Sequence, residues 1–289
     1  MAFNVQTFKT RALTAIIFVA VMMAGLLWNK WSFFVLFSIV HFGAWLEYGK
    51  LVGAFNPDYK SISSFHKYGV MTGGWCLLLY FTNEELAIGS IRFSEAGFWG
   101  GVILMIVVPL VVLLKREPYL VKNLGYSLSG VLYISLSLGL LIAIRNLYGV
   151  ETEGRGDLGK YIALTLIFSI WINDTMAYIV GSFIGKTPLS KVSPKKTWEG
   201  TAGGAALCVV VMAFIGKALG LSYVDAAFIA AIAAITGTFG DLFESKLKRM
   251  AGVKDSGSFM PGHGGFLDRF DSLLFAAVAV WFYMVIAMQ

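Results

Sequence analysis

Nine long segments of almost uninterrupted apolar residues divide this chain: Ala12–Trp28, Trp31–Val52, Tyr68–Thr82, Phe98–Leu114, Tyr126–Tyr148, Leu158–Ile184, Trp198–Leu219, Tyr223–Gly240 and Phe270–Met288. A helix needs about 20 such residues to cross the hydrocarbon core of a bilayer. Charged residues make up only 14% of the 289 residues, against about 25% in a typical soluble domain. Because the segments are continuous rather than alternating, they predict helices and not the strands of a membrane β-barrel. We therefore expect an all-α, polytopic integral membrane protein with about nine transmembrane helices.

The Lys and Arg residues are distributed unequally between the two sets of alternating loops. If nine segments cross the membrane, six of the 23 basic residues lie opposite the N-terminus and the other 17 lie on its side. The six are Lys30, Arg92, Arg145, Arg155, Lys160 and Lys217. Cytoplasmic loops of membrane proteins carry the excess of positive charge, so we expect the N-terminus in the cytoplasm. A net charge of +6 can indicate binding to nucleic acid, but the distribution of the basic residues is that of a membrane topology. We therefore expect no nucleic-acid partner.

Polar chemistry is concentrated in the second part of the chain. Residues 1–150 are predicted to form an N-terminal set of transmembrane helices, a scaffold that faces lipid or a second copy of the chain. Residues 151–289 are predicted to form a C-terminal set with a catalytic site at its cytoplasmic face, because the cytoplasmic loops there are rich in Asp, Lys, Ser and Gly. Cys76 and Cys208 both lie inside apolar segments, so we expect neither a disulfide framework nor a zinc site.

An acidic residue, Asp174, interrupts the sixth apolar segment in the sequence WINDTMAYIVGSFIG. A carboxylate inside a spanning helix costs on the order of 3 kcal/mol on insertion scales, so such a residue usually faces a cavity or a partner group. We predict a substrate-binding role for Asp174. The alternative is a structural hydrogen bond or ion pair between helices.

The loop KTPLSKVSPKKTWEG, residues 186–200, combines lysines with hydroxyl side chains just before a predicted helix. Lys side chains and the N-terminal amides of helices both suit phosphate oxygens. The predicted substrate-binding residues of this loop are Ser193, Lys195, Lys196 and Thr197. Glu199, three residues after Lys196, is predicted to pair with it. The alternative is that the lysines only contact anionic lipid headgroups.

The segment GTFGDLFESKLKRM, residues 237–250, continues the eighth apolar segment into the cytoplasm. Asp241, Ser245 and Lys248 recur at i, i+4 and i+7, so they share one face of a helix. A solvated helix end explains the lysines, but it explains less well an Asp at the very edge of the apolar segment. We therefore predict that this face belongs to the site.

The segment KDSGSFMPGHGGFLDRFDS, residues 254–272, leads into the ninth apolar segment. Asp268 and Asp271 lie three residues apart, and Mg²⁺ typically takes one or two such carboxylates together with water and substrate phosphates. The glycines of the PGHGG turn allow backbone amides to approach a phosphate. A helix dipole explains one Asp here but not the whole segment. His263 has no second His or Cys nearby in the sequence, so we do not expect it to bind zinc. We predict instead that it donates a hydrogen bond to a phosphate or has a structural role.

Residues 245–272 resemble the signature of the phosphatidate cytidylyltransferase (CDP-diacylglycerol synthase) family. That signature reads S-x-x-K-R, four residues, K-D, and then P-G-H-G-G-x-x-D-R-x-D, and the chain matches each fixed position. The segments NDTMAY, SPKKTWEG and GDLFES are also similar to the family. The resemblance covers residues 171–272, whereas residues 1–150 match only in hydrophobicity and length.

This resemblance implies an enzyme of phospholipid biosynthesis that joins phosphatidate to CTP, giving CDP-diacylglycerol and pyrophosphate. It also implies Mg²⁺ as the cofactor, K⁺ as an assisting ion, and a homodimer. Carried over residue by residue, it makes Asp241, Asp268 and Asp271 the metal-binding and catalytic carboxylates. We further expect a multi-pass protein of the cell inner membrane with its active site on the cytoplasmic face, where CTP meets a membrane lipid.

The remaining expected site residues are cations and groups that bind phosphate. Lys248 and Arg269 are predicted to be catalytic by neutralising pyrophosphate or phosphatidate. The other predicted substrate-binding residues are Ser245, Lys254, His263, Gly264 and Gly265.

Two other functions use similar residue types. A CTP-dependent lipid or polyprenol kinase would transfer the γ-phosphoryl group and would need a base for the hydroxyl proton. A transporter would use Asp174 as a coupling-ion site, but it should carry polar residues at the midplane of several spans. Here the polar residues cluster at one membrane face, which disfavours transport.

Overall fold

The computed structural model describes residues 5–83, 86–115, 119–147, 157–260 and 264–288. Its helices are α1 (Val5–Leu27), α2 (Lys30–Phe55), α3 (Pro57–Lys60), α4 (Ser64–Tyr80), α5 (Phe93–Leu114), α6 (Leu120–Gly130), α7 (Ser137–Arg145), α8 (Leu158–Ile184), α9 (Trp198–Ala218), α10 (Tyr223–Met250) and α11 (Leu267–Ala287). A π-helical segment, Val131–Leu136, joins α6 to α7. The described strands are β1 (Ala87–Ile88) and β2 (Ile91–Arg92), which pair antiparallel. The prediction of an all-α fold is therefore confirmed.

Each of the nine apolar segments is helical in the structure. The prediction of a polytopic membrane protein is confirmed. Seven described helices are long and apolar enough to cross a membrane: α2, α5, the continuous helix from α6 to α7, α8, α9, α10 and α11. The two others are shorter. The apolar part of α1 runs over Ala12–Leu27, and α4 has 17 residues. The count of nine spans is therefore approximate.

The chain forms two compact units by its internal contacts. The first unit comprises Met1–Leu136 and Leu247–Phe270, and the second comprises Ser137–Lys246 and Asp271–Gln289. The last two helices, α10 and α11, each run from one unit into the other. The division predicted at residue 150 concerns where the chemistry lies, and it stays a prediction.

In the first unit, α2 packs against α1, α3, α4 and the π-helical segment. Buried polar groups line this contact and pair with each other, as buried polar groups generally must. Ser135 of the π-helical segment lies 2.9 Å from Nε2 of His41 and accepts a hydrogen bond of 2.8 Å from Nε1 of Trp45. The hydroxyl of Tyr48 donates to the carbonyl of Tyr126 over 2.8 Å. These bonds fix the rotation of α2 about its axis.

In the second unit, glycines let helices approach each other closely. A Cβ at Gly200 or Gly204 of α9 would overlap the backbone of α8 at Ala177. Two small residues spaced by four along one helix are a common contact surface between transmembrane helices. This contact holds the start of α9, and the basic loop before it, against the C-terminal half of α8.

Candidate active site

Three carboxylates form an acidic cluster in the second unit. One oxygen of each of Asp241, Glu244 and Asp271 lies within 4.8 Å of the others. Asp241 and Glu244 are three residues apart on α10 and share a face of that helix, whereas Asp271 lies near the start of α11. The two helices approach closely because Gly240 has no side chain; a Cβ there would overlap the carbonyl oxygen of Asp271. The glycine thus sets the spacing of the acidic cluster.

Two donors from the predicted site contact this acidic cluster. Nζ of Lys196 forms an ion pair with Oδ2 of Asp241, and the hydroxyl of Ser245 donates to Oδ1 of Asp241 over 3.2 Å. The side chains of Lys196 and Asp241 are 32% and 21% exposed, so salt screens their attraction less than it screens a surface pair. Carboxylate oxygens are hard ligands that suit Mg²⁺. The donor set of the acidic cluster therefore fits that ion.

The basic loop before α9 is folded back on itself. Pro188 and Thr197 form an antiparallel bridge, and the N–H of Leu189 donates to the carbonyl of Lys196 over 2.7 Å. The Thr197 hydroxyl accepts from the N–H of Gly200 over 3.2 Å, so it caps the N-terminus of α9. The cap and the bridge together place Lys196 beside α10.

The prediction that Glu199 pairs with Lys196 was wrong. Oε2 of Glu199 accepts hydrogen bonds of 3.1 Å from the N–H groups of both Lys186 and Thr187. Backbone N–H groups of a loop that turns back over a helix start compete for the same carboxylate. Glu199 therefore closes the loop, and Lys196 reaches Asp241 instead.

In the first unit, hydrogen-bond donors surround Asp268. Those on the backbone come from the glycine-rich turn before α11, by which we mean the described residues between positions 255 and 266. Oδ2 of Asp268 accepts from the N–H groups of Ser256 and Gly265, each at 2.8 Å, and lies 2.9 Å from the hydroxyl of Ser256. Nζ of Lys248 donates to Oδ1 over 2.6 Å. Gly264 has a φ of +86°, a conformation that favours glycine. The predicted residues Lys248, Gly264, Gly265 and Asp268 are thus in contact or adjacent.

A carboxylate from α2, Glu47, contacts the same turn. Its Oε1 accepts from the N–H of Phe266 over 2.9 Å, and its Oε2 accepts from the N–H of Leu267 over 2.9 Å. The hydroxyl of Ser256 donates to Oε2 over 2.7 Å. Glu47 is only 5% exposed. Glu47 was not among the predicted site residues, although it is an acidic residue inside an apolar segment, which is the signal that singled out Asp174.

Glu244 was also missed. It follows Asp241 by three residues, which is the spacing that drew attention to Asp268 and Asp271.

Four predicted residues are exposed at the surface of the described structure: Asp174, Lys195, Lys254 and Arg269. Ser193 is half-buried, and its carbonyl accepts from the N–H of Lys196 over 3.1 Å. His263 lies outside the described residues.

Comparisons with known proteins agree with the resemblance seen in the signature. The model of the cytidylyltransferase family matches residues 9–287. A phosphatidate cytidylyltransferase of Helicobacter pylori is 42% identical over 125 residues, which is 43% of this chain and 47% of that protein. The chloroplastic phosphatidate cytidylyltransferase 5 of Arabidopsis thaliana is 33% identical over 226 residues, 72% of this chain and 53% of that protein.

A third relative is the phosphatidate cytidylyltransferase of Bacillus subtilis, 37% identical over 187 residues, which is 61% of this chain and 66% of that protein. The chain thus spans between 47% and 66% of the length of these three relatives. The family match extends over nearly the whole chain, including the N-terminal helices that the signature does not cover. The chain belongs to the cytidylyltransferase family.

Proposed function

We propose that this protein transfers the cytidylyl group of CTP to phosphatidate, giving CDP-diacylglycerol and pyrophosphate. The observation that carries the proposal is the acidic cluster with the Lys196 ammonium paired to it, near the ends of helices that are long enough to span a membrane. Carboxylates for a divalent cation and a neighbouring cation for phosphate suit a reaction between two phosphate compounds. The relatives named phosphatidate cytidylyltransferase support the choice of substrates.

The chemistry needs charge neutralisation more than proton transfer. A phosphate monoester such as phosphatidate is largely ionised at pH 7, so its oxygen is already a nucleophile. That oxygen forms a bond to the α-phosphorus of CTP. The bond from the α-phosphorus to the bridging oxygen breaks, and its electron pair leaves with pyrophosphate. No hydroxyl proton is removed, and therefore no general base is required.

The residues of the second unit bind and neutralise the nucleotide. Asp241, Glu244 and Asp271 would hold Mg²⁺, which when bound offsets the charge of the phosphates. Lys196 is kept beside these carboxylates by its ion pair with Asp241, so its ammonium lies where nucleotide phosphates are expected. The assignment of Asp268 to the metal stays a prediction. We leave Asp268 out of the proposed ligand set because its oxygens already accept hydrogen bonds from protein donors.

We further propose that the active site faces the cytoplasm of an inner membrane and that the enzyme works as a homodimer. The distribution of Lys and Arg between alternate loops supports the orientation. CTP is water-soluble and phosphatidate is a membrane lipid, so a site at the membrane surface serves both substrates. The roles of Lys248 and Arg269, which were predicted to neutralise phosphatidate or pyrophosphate, stay predictions.

The test is an assay of the purified protein with CTP labelled at either the α- or the γ-phosphate, in neutral detergent with phosphatidate and Mg²⁺. We expect the α-label in a lipid product and the γ-label in pyrophosphate. Omitting phosphatidate or Mg²⁺ should stop both. Asp241→Asn should lower turnover by about a thousandfold, because the charge stabilisation that a bound divalent cation would supply amounts to several kcal/mol.

Appearance of the γ-label in the lipid would contradict the proposal. It would assign the same residues to a lipid kinase, in which an alcohol attacks the γ-phosphorus. Loss of both activities, with CTP bound but unchanged, would remove the enzyme assignment as well.

A further inference from the structure

The first unit holds a carboxylate that the proposed chemistry does not use. Glu47 lies near the C-terminal end of the second apolar segment, Trp31–Val52, and its contacts in the turn before α11 are with residues more than 200 positions later in the chain. Its two oxygens accept from the N–H groups of Phe266 and Leu267. Leu267 is the first residue of α11. Glu47 therefore satisfies N–H groups that a helix leaves unpaired at its start.

Two glycines pack directly against the carboxylate of Glu47. A Cβ at Gly257 would overlap Oε1 of Glu47, and a Cβ at Gly265 would overlap both of its oxygens. Two glycines of the turn thus close over one side chain of α2. This packing explains why these two positions are glycine even though neither has a positive φ.

The hydroxyl of Ser256 connects Glu47 to Asp268. It lies 2.7 Å from Oε2 of Glu47 and 2.9 Å from Oδ2 of Asp268. The next contact in the network is the pair between Asp268 and Lys248. Contacts at hydrogen-bond distance thus run without a break from Glu47 to Asp268 and Lys248 of the signature.

We propose that Glu47 is a positioning residue that fixes the first turn of α11 and, through Ser256, the orientation of Asp268 and Lys248. The proposal rests on the proposed function for its kinetic part, while its structural part is independent of activity. We assign Glu47 no contact with the reacting atoms. It holds the signature turn from a helix that the signature does not include.

The variant that tests this is Glu47→Gln, compared with His41→Gln on the same helix. Gln keeps the size of Glu but replaces one acceptor oxygen with an NH₂ group, which cannot accept from Phe266 or Leu267. His41 is fully buried and pairs with Ser135, so its variant reports the loss of a buried polar contact elsewhere on α2.

Two measurements separate positioning from general stability. Hydrogen exchange of peptides covering residues 255–268 should become at least tenfold faster in Glu47→Gln and should not change in His41→Gln. The kcat of Glu47→Gln should fall at least tenfold, with the KM for CTP and for phosphatidate changed less than threefold. In His41→Gln, kcat should stay within twofold of the wild type even if the Tm of this variant falls as far as that of Glu47→Gln.

Two further variants keep the test decisive if Glu47→Gln does not fold. Gly257→Ala presses a methyl group on the unchanged carboxylate, and Ser256→Ala removes the bridging hydroxyl; each should show the same local increase in exchange. The double variant Glu47→Gln/Ser256→Ala should be no slower than the slower single variant, because both act through one network.

Unchanged exchange at residues 255–268 in these variants would overturn the proposal, as would a loss of kcat no larger than that of His41→Gln at equal Tm. If the wild type proved inactive with CTP and phosphatidate, the proposed function would fail, and the exchange measurements would still decide whether Glu47 holds the turn.

Discussion

Asp268 and Asp271 show how different the surroundings of two similar residues can be. They lie three positions apart near the start of α11, and their spacing grouped them as one metal site in the sequence analysis. In the structure, Asp271 joins Asp241 and Glu244 in the acidic cluster, whereas both oxygens of Asp268 accept hydrogen bonds from protein donors. Spacing within a helix predicts a shared face, but it does not predict which partners arrive from distant parts of the chain.

Mg²⁺ binding should distinguish the two carboxylates without an activity assay. A cation that binds only the folded state, present at 100 times its Kd, stabilises that state by about 2.7 kcal/mol, which is a rise in Tm of about 4 °C for a chain of this size. We expect Asp271→Asn and Glu244→Gln to lose most of this rise. Asp268→Asn should keep this rise in Tm, but from a lower starting Tm, because the ion pair between Asp268 and Lys248 is lost.

The control for that measurement is Glu95→Gln. Glu95, in the first turn of α5, is exposed and pairs over 3.7 Å with Arg92, the last residue of β2, so its variant should retain the full Mg²⁺ effect. Loss of the Mg²⁺ effect in Asp268→Asn, with the effect retained in Asp271→Asn, would assign the ion to Asp268.

Gly264 provides a second test at the level of one residue. An Ala there would need a φ near +86° and would place its Cβ against the carboxylate of Asp268. We expect Gly264→Ala to lower Tm and to reduce turnover by at least about a hundredfold, a loss of roughly 2.7 kcal/mol in transition-state stabilisation.

Gly125→Ala is the matched control for the glycine test. Gly125 is exposed within α6, and a Cβ there meets no atom within 4 Å. Replacing a Gly in a helix by Ala stabilises by about 0.5–1 kcal/mol, so activity should be unchanged and Tm equal or higher. Equal behaviour of the two variants would show that the conformation of Gly264 has no part in the site.

Among the elements, the basic loop before α9 is the one whose details were least predictable. Its lysines and hydroxyl groups are visible in the sequence, but Thr197 was predicted only to bind substrate, and the structure shows that it caps the N-terminus of α9. The partner of Lys196 does not, since Asp241 lies 45 positions later on α10 and is brought near by helix packing. Lys195 and Lys196 were both predicted to bind substrate, but Lys195 is exposed in the structure.

The two lysines should therefore differ in their effect on CTP. A hydrogen bond to a charged group contributes about 1.5–3 kcal/mol, so Lys196→Gln should lower kcat/KM for CTP by about 10–150-fold. Lys195→Gln should have a smaller effect, and the exposed Lys191 supplies a control, Lys191→Gln. Kinetics at two lipid compositions would expose the alternative: if the loop only contacts anionic lipid, all three variants respond to lipid charge and not to CTP concentration.

For the whole molecule, the sequence predicted the helices well and their contacts poorly. Apolar residues in continuous segments report the membrane directly, so all nine segments coincide with helices. The contacts of Glu47 join positions separated by 209 to 220 residues, and no local pattern encodes such a pairing. The acidic cluster depends in the same way on Gly240, whose role appears only when α11 lies against it.

The orientation in the membrane is a further prediction at this scale. Single cysteines at Lys60, Lys122 and Lys254 should react with an impermeant thiol reagent only after cells are opened, because these loops are predicted to be cytoplasmic. Cysteines at Ser90 and Val224 should react in intact cells. All five positions are exposed in the structure, so burial does not limit the reaction. Rapid labelling at position 254 in intact cells would reverse the orientation and move the proposed site.

The long separation between Glu47 and its partners also has a consequence for biosynthesis. A ribosome adds about 5–20 residues per second, so the 209 residues between Glu47 and Ser256 take roughly 10–40 seconds to translate at that rate. During this interval the second helix enters the bilayer with a carboxylate that has none of the donors of the α11 turn. Until then this carboxyl group must hydrogen-bond to other groups, such as water at the translocon or lipid headgroups. The N-terminal helices can reach their final packing only after the end of the chain has been made.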